Sequence, residues 1–310
     1  MQQITSEILM VRPARFGSNP ETLENNAFQS REEILDNATL SARAVEEFDN
    51  MVSVLRSHGV HVVIAEDTPI PSKPDAVFPN NWISFHEDGS VITYPMFAPS
   101  RRMERREDII DQIGERYMIK NRYSFEFYEH EVPTAFLEGT GSMVFDRSAK
   151  VVYACLSPRT DALLIDKFCL LTGMESCIFK ARDENNIDIY HTNVMMAIGV
   201  DFAVVCLDAI VEPNSRNEVT LLLKKSGKDI IPISLKQMGQ FAGNMLEVKN
   251  TLGKRYLCMS QTAYNSLDEN QKQQLSAKTS LLPIPIPNIE KFGGGSVRCM
   301  MAEIFLPKNK

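Results

Sequence analysis

The chain has 310 residues, with 33 Lys and Arg against 40 Asp and Glu, a formal charge of 33 − 40 = −7. Its 44% hydrophobic and 24% charged residues are ordinary globular usage, which excludes a disordered or fibrous protein, and an acidic balance without a long Lys/Arg run excludes the electrostatic footprint of a nucleic-acid binder. The longest apolar runs, 194–200 and 202–207, are separated by Asp201 and fall well short of the roughly 20 residues of a membrane span.

Helical periodicity runs over 31–58, where Leu35, Leu40, Ala44, Phe48, Val52 and Leu55 recur near 3.6-residue spacing and Gly59 supplies the stop. Residues 60–64 then read as a buried strand. Runs 82–86 and 90–94 flank Glu87-Asp88-Gly89, whose Asp-Gly turn predicts a hairpin. This order of helix, strand and hairpin recurs. Helices are expected over 101–119, 161–171, 215–225 and 263–275, each followed by a short apolar or alternating stretch at 124–128, 175–179, 229–233 or 281–286. Strand pairs are expected at 143–145 with 151–156, 194–198 with 203–207, and 245–248 with 256–259, and a last strand over 297–306. Five helices at intervals of roughly 50 to 65 residues predict a radial or solenoid repeat, with an ordinary α/β domain of irregular connections as the alternative. No Gly/Ser-rich linker divides the chain, so residues 1–310 are expected to form a single domain.

Six cysteines, Cys155, Cys169, Cys177, Cys206, Cys258 and Cys299, lack CxxC pairing, and the dispersed histidines lack HExxH spacing. No metal is therefore expected, the thiol chemistry considered below needs no cofactor, and the default is six free thiols in a reducing compartment. The first residues carry no basic segment followed by an apolar core, so a cytoplasmic protein is expected.

Polar residues that a core does not need fall at corresponding places just before the hairpins. They are Asp75 with Phe78-Pro79-Asn80-Asn81-Trp82, Glu138-Gly139-Thr140-Gly141-Ser142, His191-Thr192-Asn193, Gly243-Asn244, and Gly293-Gly294-Gly295-Ser296-Val297-Arg298-Cys299. Around an axis these positions converge, and one Cys, one His, one Glu and one Asp meet in a central pocket. A thiolate can attack an electrophilic carbon, an imidazole can move protons to and from a leaving group, and carboxylates can position substrate or water. Taken singly, Cys299 reads as a core thiol, His191 as a strand cap and Glu138 as a turn residue. Three glycines ahead of Cys299 let backbone approach a ligand and aim amides at developing charge.

Taken together, Pro74-Asp75-Ala76-Val77-Phe78, Ala98-Pro99-Ser100-Arg101-Arg102, Leu137-Glu138-Gly139, Leu156-Ser157-Pro158-Arg159-Thr160, His191-Thr192-Asn193 and the 293–299 segment resemble the guanidine-modifying superfamily. That superfamily comprises arginine deiminases, dimethylarginine dimethylaminohydrolases and amidinotransferases. Val11-Arg12-Pro13 and Asn25-Asn26-Ala27-Phe28 add to the resemblance, which runs in order along nearly the whole chain and is nearest to the citrulline-utilisation hydrolases. The resemblance implies a five-bladed pseudosymmetric α/β propeller, or pentein, of ββαβ-type modules. It implies Cys299 as nucleophile, His191 as general acid/base and Glu138 as the carboxylate assisting proton transfer. It also implies Asp75, Phe78 and Asn81 near the reacting end of a small amino-acid substrate, with Arg101 and Arg159 on its carboxylate, a task their planar fork suits.

Two departures bear on substrate. Relatives that bind a cationic guanidinium end the Phe motif with Asp, where this chain has Asn81, and deiminases carry Asp two residues after the histidine, where it has Asn193. An amide offers both an acceptor and donors, which suits a neutral ureido group. Citrulline, cleaved to ornithine, ammonia and carbon dioxide through an S-carbamoyl cysteine, is therefore the expected substrate. The alternatives are a dimethylarginine or arginine hydrolase, an amidinotransferase, or a non-catalytic amino-acid-binding propeller. A third departure, Glu138-Gly139-Thr140-Gly141 in place of Glu-Gly-Gly-Asp, removes a second carboxylate. The Asn-, Pro- and Ser-rich segment 12–33 reads either as a lid or as an ordered surface connection.

Overall fold

A computed structural model of the chain describes residues 1–23, 26, 28–29 and 36–309. Among the described residues fifteen strands form five three-stranded sheets. In chain order they are β1 (Glu7–Arg12), β2 (His61–Glu66), β3 (Ile83–Phe85), β4 (Ser90–Thr93), β5 (Asn121–Ser124), β6 (Val144–Asp146), β7 (Val151–Cys155), β8 (Glu175–Phe179), β9 (Met196–Ile198), β10 (Phe202–Val205), β11 (Asp229–Pro232), β12 (Leu246–Lys249), β13 (Arg255–Ser260), β14 (Ser280–Ile284) and β15 (Ala302–Glu303).

Four sheets share one construction. A hairpin gives two antiparallel strands, and a helical connection returns the chain to a third strand parallel to the second, as in β6-β7-β8. The sheets β3-β4-β5, β9-β10-β11 and β12-β13-β14 repeat it. The fifth sheet, β15-β1-β2, has the same pattern with its first strand taken from the far end of the chain. Neighbouring sheets touch through their first strands, β15 against β3, β6 against β9 and β9 against β12.

The helix expected over 31–58 is observed as Asn37–Ser57, with the Asp36 carboxylate accepting from the N–H groups of Ala38 and Thr39 and Gly59 leaving it at φ +79°. Residues 31–35, and with them Leu35, lie outside the described residues. Its buried stripe of Leu40, Ala44, Phe48, Met51 and Leu55 packs on β1 and β2. Helix Ala162–Thr172, strand β8 and helix Pro213–Lys225 also follow the sequence expectation closely.

The structure corrects four elements. The expected helix 101–119 is two short ones, Pro99–Arg102 and Glu107–Gly114, because Arg101 turns inward and the intervening Glu104 folds back to take its guanidinium. The strand expected at 124–128 lies at β5, whose four residues are all exposed and so carry no apolar alternation. The helix 263–275 is broken into Gln261–Ser266 and Glu269–Ser276, since Asp268 and Gln271 form a reciprocal capping box that starts a new helix. The strand 297–306 is a helical turn, Val297–Met300, followed by the two residues of β15. Strand β1 was not anticipated, although Ile8, Leu9, Met10 and Val11 are all buried.

A tight turn precedes the first strand of every sheet: Pro79–Asn81, Gly139–Ser142, Thr192–Val194, residues 241–244 and Val297–Met300. These turns meet. The second packs on the first and the third, and the last packs on the first. Asn244 bridges the remaining gap, its Nδ2 donating to Asn193 O and its Oδ1 accepting from Arg298 N–H.

A chain ending at Met301 loses β15 and the buried Ile304 and Leu306, each worth about 1.5–3 kcal/mol of burial. Calorimetry of that truncation is expected to show loss of the cooperative thermal transition. A transition at the full-length temperature would contradict this account of the fifth sheet.

Candidate active site

The turns deliver the candidate residues to one narrow recess. Asp75, Phe78, Asn81, Arg101, Arg159, His191 and Cys299 line it, while Glu138 and Asn193 stand directly behind His191 and Cys299. All nine expected positions are buried and adjacent. Positioning is backbone-driven: Gly141 leaves room where a Cβ would lie 2.3 Å from Asn81 Nδ2 and 2.8 Å from His191 Nδ1. Gly293 and Gly295 likewise let the chain lie against the Phe78 ring.

Glu138 is fully buried, with Oε2 2.8 Å from His191 Nε2 and Oε1 accepting from Phe97 N–H at 3.0 Å. Burial would raise its pKa, but Arg159 at 3.5 Å, His191 and Arg101 outweigh that and hold it below the ordinary carboxylate range. An ionised Glu138 only accepts, so His191 carries its proton on Nε2 and its lone pair on Nδ1. Burial pushes the imidazole down to about 4; Glu138 opposes the fall and Arg159 adds to it.

Cys299 Sγ receives two amide donors, Asn244 Nδ2 at 3.2 Å and Asn193 Nδ2 at 3.5 Å. Arg101 grips Glu104 with Nε and Nη2, both at 2.9 Å, and gives Nη1 to Asn81 Oδ1 at 2.9 Å. Its fork is therefore occupied by the protein. Burial raises Glu104 to about 7, against the pull of Arg101. Asp75 takes Asn19 Nδ2 at 2.8 Å on Oδ2, while its Oδ1 has no partner among the described residues; burial raises this carboxyl too. The Arg159 guanidinium lies 5.0 Å over the Tyr190 ring, and Tyr190 Oη donates to Gly294 O.

The sequence model of the family described as N,N dimethylarginine dimethylhydrolase, eukaryotic, matches residues 12–306. The chain belongs to this family. The dimethylarginine dimethylhydrolase family lies in the guanidine-modifying superfamily, and membership makes the chain a hydrolase of non-peptide carbon–nitrogen bonds. Three solved structures share its fold. The N-terminal domain of ArgZ, an arginine dihydrolase from the ornithine-ammonia cycle in cyanobacteria, seen as a cysteine-to-serine mutant bound to substrate, matches at TM-score 0.75 and 15% identity over 97% of this chain and 98% of that one. Unliganded AgrE matches at 0.72 and 16% over 98% of this chain and 40% of AgrE. A dimethylarginine dimethylaminohydrolase variant carrying an S-methyl-L-thiocitrulline adduct matches at 0.66 and 15% over 97% of this chain and 99% of that one. Among curated proteins none matches.

Asn244, singled out in the sequence by its corresponding repeat position but given no role there, proves to be a neighbour of Cys299, whereas Glu104 and Tyr190 carried no signal. From segment 12–33, Asn19, Thr22, Asn26 and Gln29 sit at the recess, with Asn26 Nδ2 reaching Gly294 O and Gln29 Nε2 reaching Phe292 O. The rest of that segment's tip, residues 24, 25, 27 and 30–33, lies outside the described residues, and with it half of the Asn25–Phe28 motif.

The buried imidazole has a pH consequence. Between its ordinary 6.5 and about 4, the unfolded chain binds a proton at His191 that the folded chain does not. Its contribution to stability is thus complete above pH 6.5 and is lost as pH falls through that window. NMR titration of a ¹³C-labelled imidazole is expected to give a His191 midpoint near 4; a midpoint at 6.5 would contradict the geometry.

Proposed function

We propose that the protein is a cysteine hydrolase of a ureido amino acid, citrulline, with the five sheets as blades of one closed propeller domain around the reacting centre. The observation that carries the substrate is the amide of Asn81. Arg101 can only donate, so the atom it touches is Oδ1, and the atom left without a partner among the described residues is Nδ2, a donor. A donor in the recess wants an acceptor. A ureido group has one in its carbonyl oxygen, and a guanidinium has none.

Cys299 gives its thiol proton to His191 Nδ1 and its sulfur adds to the ureido carbon. Collapse of the adduct breaks the bond to the side-chain nitrogen, which takes the proton from His191 and leaves as the amine of ornithine. Water, deprotonated by the same imidazole, then cleaves the S-carbamoyl cysteine, restoring the thiol and releasing carbamate that decomposes to ammonia and carbon dioxide. The amides of Asn193 and Asn244 steady charge on sulfur throughout. Glu138 holds the imidazole and stabilises it when it is charged. Arg159 takes the substrate carboxylate. Arg101, its fork on Glu104, orients Asn81 in place of the carboxylate-binding role expected from the resemblance.

A second reading, hydrolysis of arginine or dimethylarginine, is favoured by family membership and by the unpartnered Oδ1 of Asp75, an acceptor for a guanidinium N–H.

Turnover of citrulline, arginine and dimethylarginine at equal concentration, followed by mass spectrometry of ornithine and citrulline, separates the two. Ornithine from citrulline alone is expected, and none with Cys299→Ala. Citrulline released from arginine or dimethylarginine would establish the second reading. Asn81→Asp is expected to lower citrulline turnover by roughly 10²-fold, since it removes a donor from the position of developing oxyanion charge.

A further inference from the structure

A second, narrow cavity lies on the other side of the 297–300 turn: Cys299 lines the first recess and Arg298 the second. Strands β6, β9 and β12 wall it, and only a small part of it is wide enough for a water-sized sphere. Its polar lining is Gln3, Arg147, Glu247, Arg298 and Glu303.

Most of these groups are satisfied by one another. Gln3 Nε2 donates to Phe145 O and Ile198 O, and its Oε1 accepts from Arg147 N–H. Arg298 gives Nη1 to Met301 O at 2.8 Å and Nη2 to Glu303 at 3.2 Å. Two groups are less well satisfied. Arg147 is 4% exposed, yet its guanidinium makes no hydrogen bond or ion pair among the described residues. Glu247 accepts from Val200 N–H on Oε2, while its buried Oε1 is ion-paired with Arg255 Nε at 3.7 Å and near the Thr279 hydroxyl but has no close hydrogen bond among the described residues.

A desolvated cation without a counter-charge is costly, and chains that keep one pair it. The guanidinium carbon of Arg147 sits 4.0 Å over the Phe305 ring and 4.9 Å over the Phe145 ring. Rings against its faces leave the N–H edge as the approach, and that edge fits a planar two-oxygen anion. We propose that this cavity binds a small planar oxyanion bearing a hydroxyl, of which bicarbonate is the simplest, with two oxygens on the Arg147 fork and the hydroxyl donating to Glu247 Oε1. Burial, opposed by Glu303 and reinforced by Arg298, holds Arg147 below the ordinary arginine range. Burial also raises the Glu247 carboxyl, which lessens the repulsion an anion meets there. The inference stands independently of the substrate.

Titration calorimetry of the full chain with bicarbonate, nitrate and chloride at matched ionic strength tests it. Saturable bicarbonate binding is expected, tighter than nitrate or chloride, and unchanged in Cys299→Ala. Arg147→Met is expected to raise the bicarbonate Kd roughly tenfold or more while turnover persists; Arg147→Lys, which keeps the charge for folding but lacks the fork, is expected to weaken binding as well. Binding in either variant equal to wild type would overturn the proposal. So would chloride binding as tightly as bicarbonate, or loss of bicarbonate binding in Cys299→Ala, which would locate the ion at the first recess.

Discussion

A carboxylate removed from water must be surrounded by donors, and Glu138 is removed from it entirely. Its four neighbours, His191, Phe97 N–H, Arg159 and Arg101, are fixed by that requirement. The consequences run outward. His191 is held in one tautomer, and two guanidiniums are drawn into the centre of the molecule. Arg101 in turn needs Glu104 for its fork and Asn81 for its remaining edge, and this decides which end of the Asn81 amide is left over. Replacing Glu138 alone would take a counter-charge from Arg159 and Arg101 as well as from His191, so its loss would disturb more than one proton transfer.

Space at the centre is rationed by the same set of turns. Three residues before the first strand of each sheet stand Asn80, Gly141, Asn193, Gly243 and Cys299. None is large, and the two glycines are enforced: a Cβ on Gly243 would lie 2.4 Å from Val194 O, and one on Gly141 would strike Asn81 and His191. A repeated backbone brings equivalent positions together, and the equivalent side chains must then differ for all to fit. The Asn193 amide reaches Cys299 only because its neighbours in the cycle are side-chain-free.

The repeat was legible because its helices and hairpins carry apolar periodicity, as Phe48, Met51 and Leu55 do in one helix and Ile165, Phe168 and Cys169 do in another. The candidate site was legible because Cys299, His191 and Glu138 all lie in or beside the turn that precedes a first strand. What stayed hidden obeys other rules. Strand β5 is exposed on all four residues, so no burial pattern marks it. The break in the 263–275 helix is a hydrogen-bonded cap at Asp268, a local competition that periodicity does not register. Glu104 was invisible because its role depends on the rotamer of Arg101, three residues earlier, pointing inward instead of to solvent. The same contact occupies the Arg101 fork that the resemblance assigned to a substrate carboxylate.

The first strands of the sheets are short, three residues in β3, β6 and β9 and two in β15. At about 3.3 Å per residue such a strand spans only about 10 Å, and this is what separates the recess at Cys299 from the cavity at Arg147. Across it one amide is shared: Asn244 Oδ1 accepts from Arg298 N–H and its Nδ2 donates to Cys299 Sγ, so the 297–300 turn is fixed from both sides. The short strands that bring the five turns together thus also set the two cavities back to back, joined through the Asn244 amide.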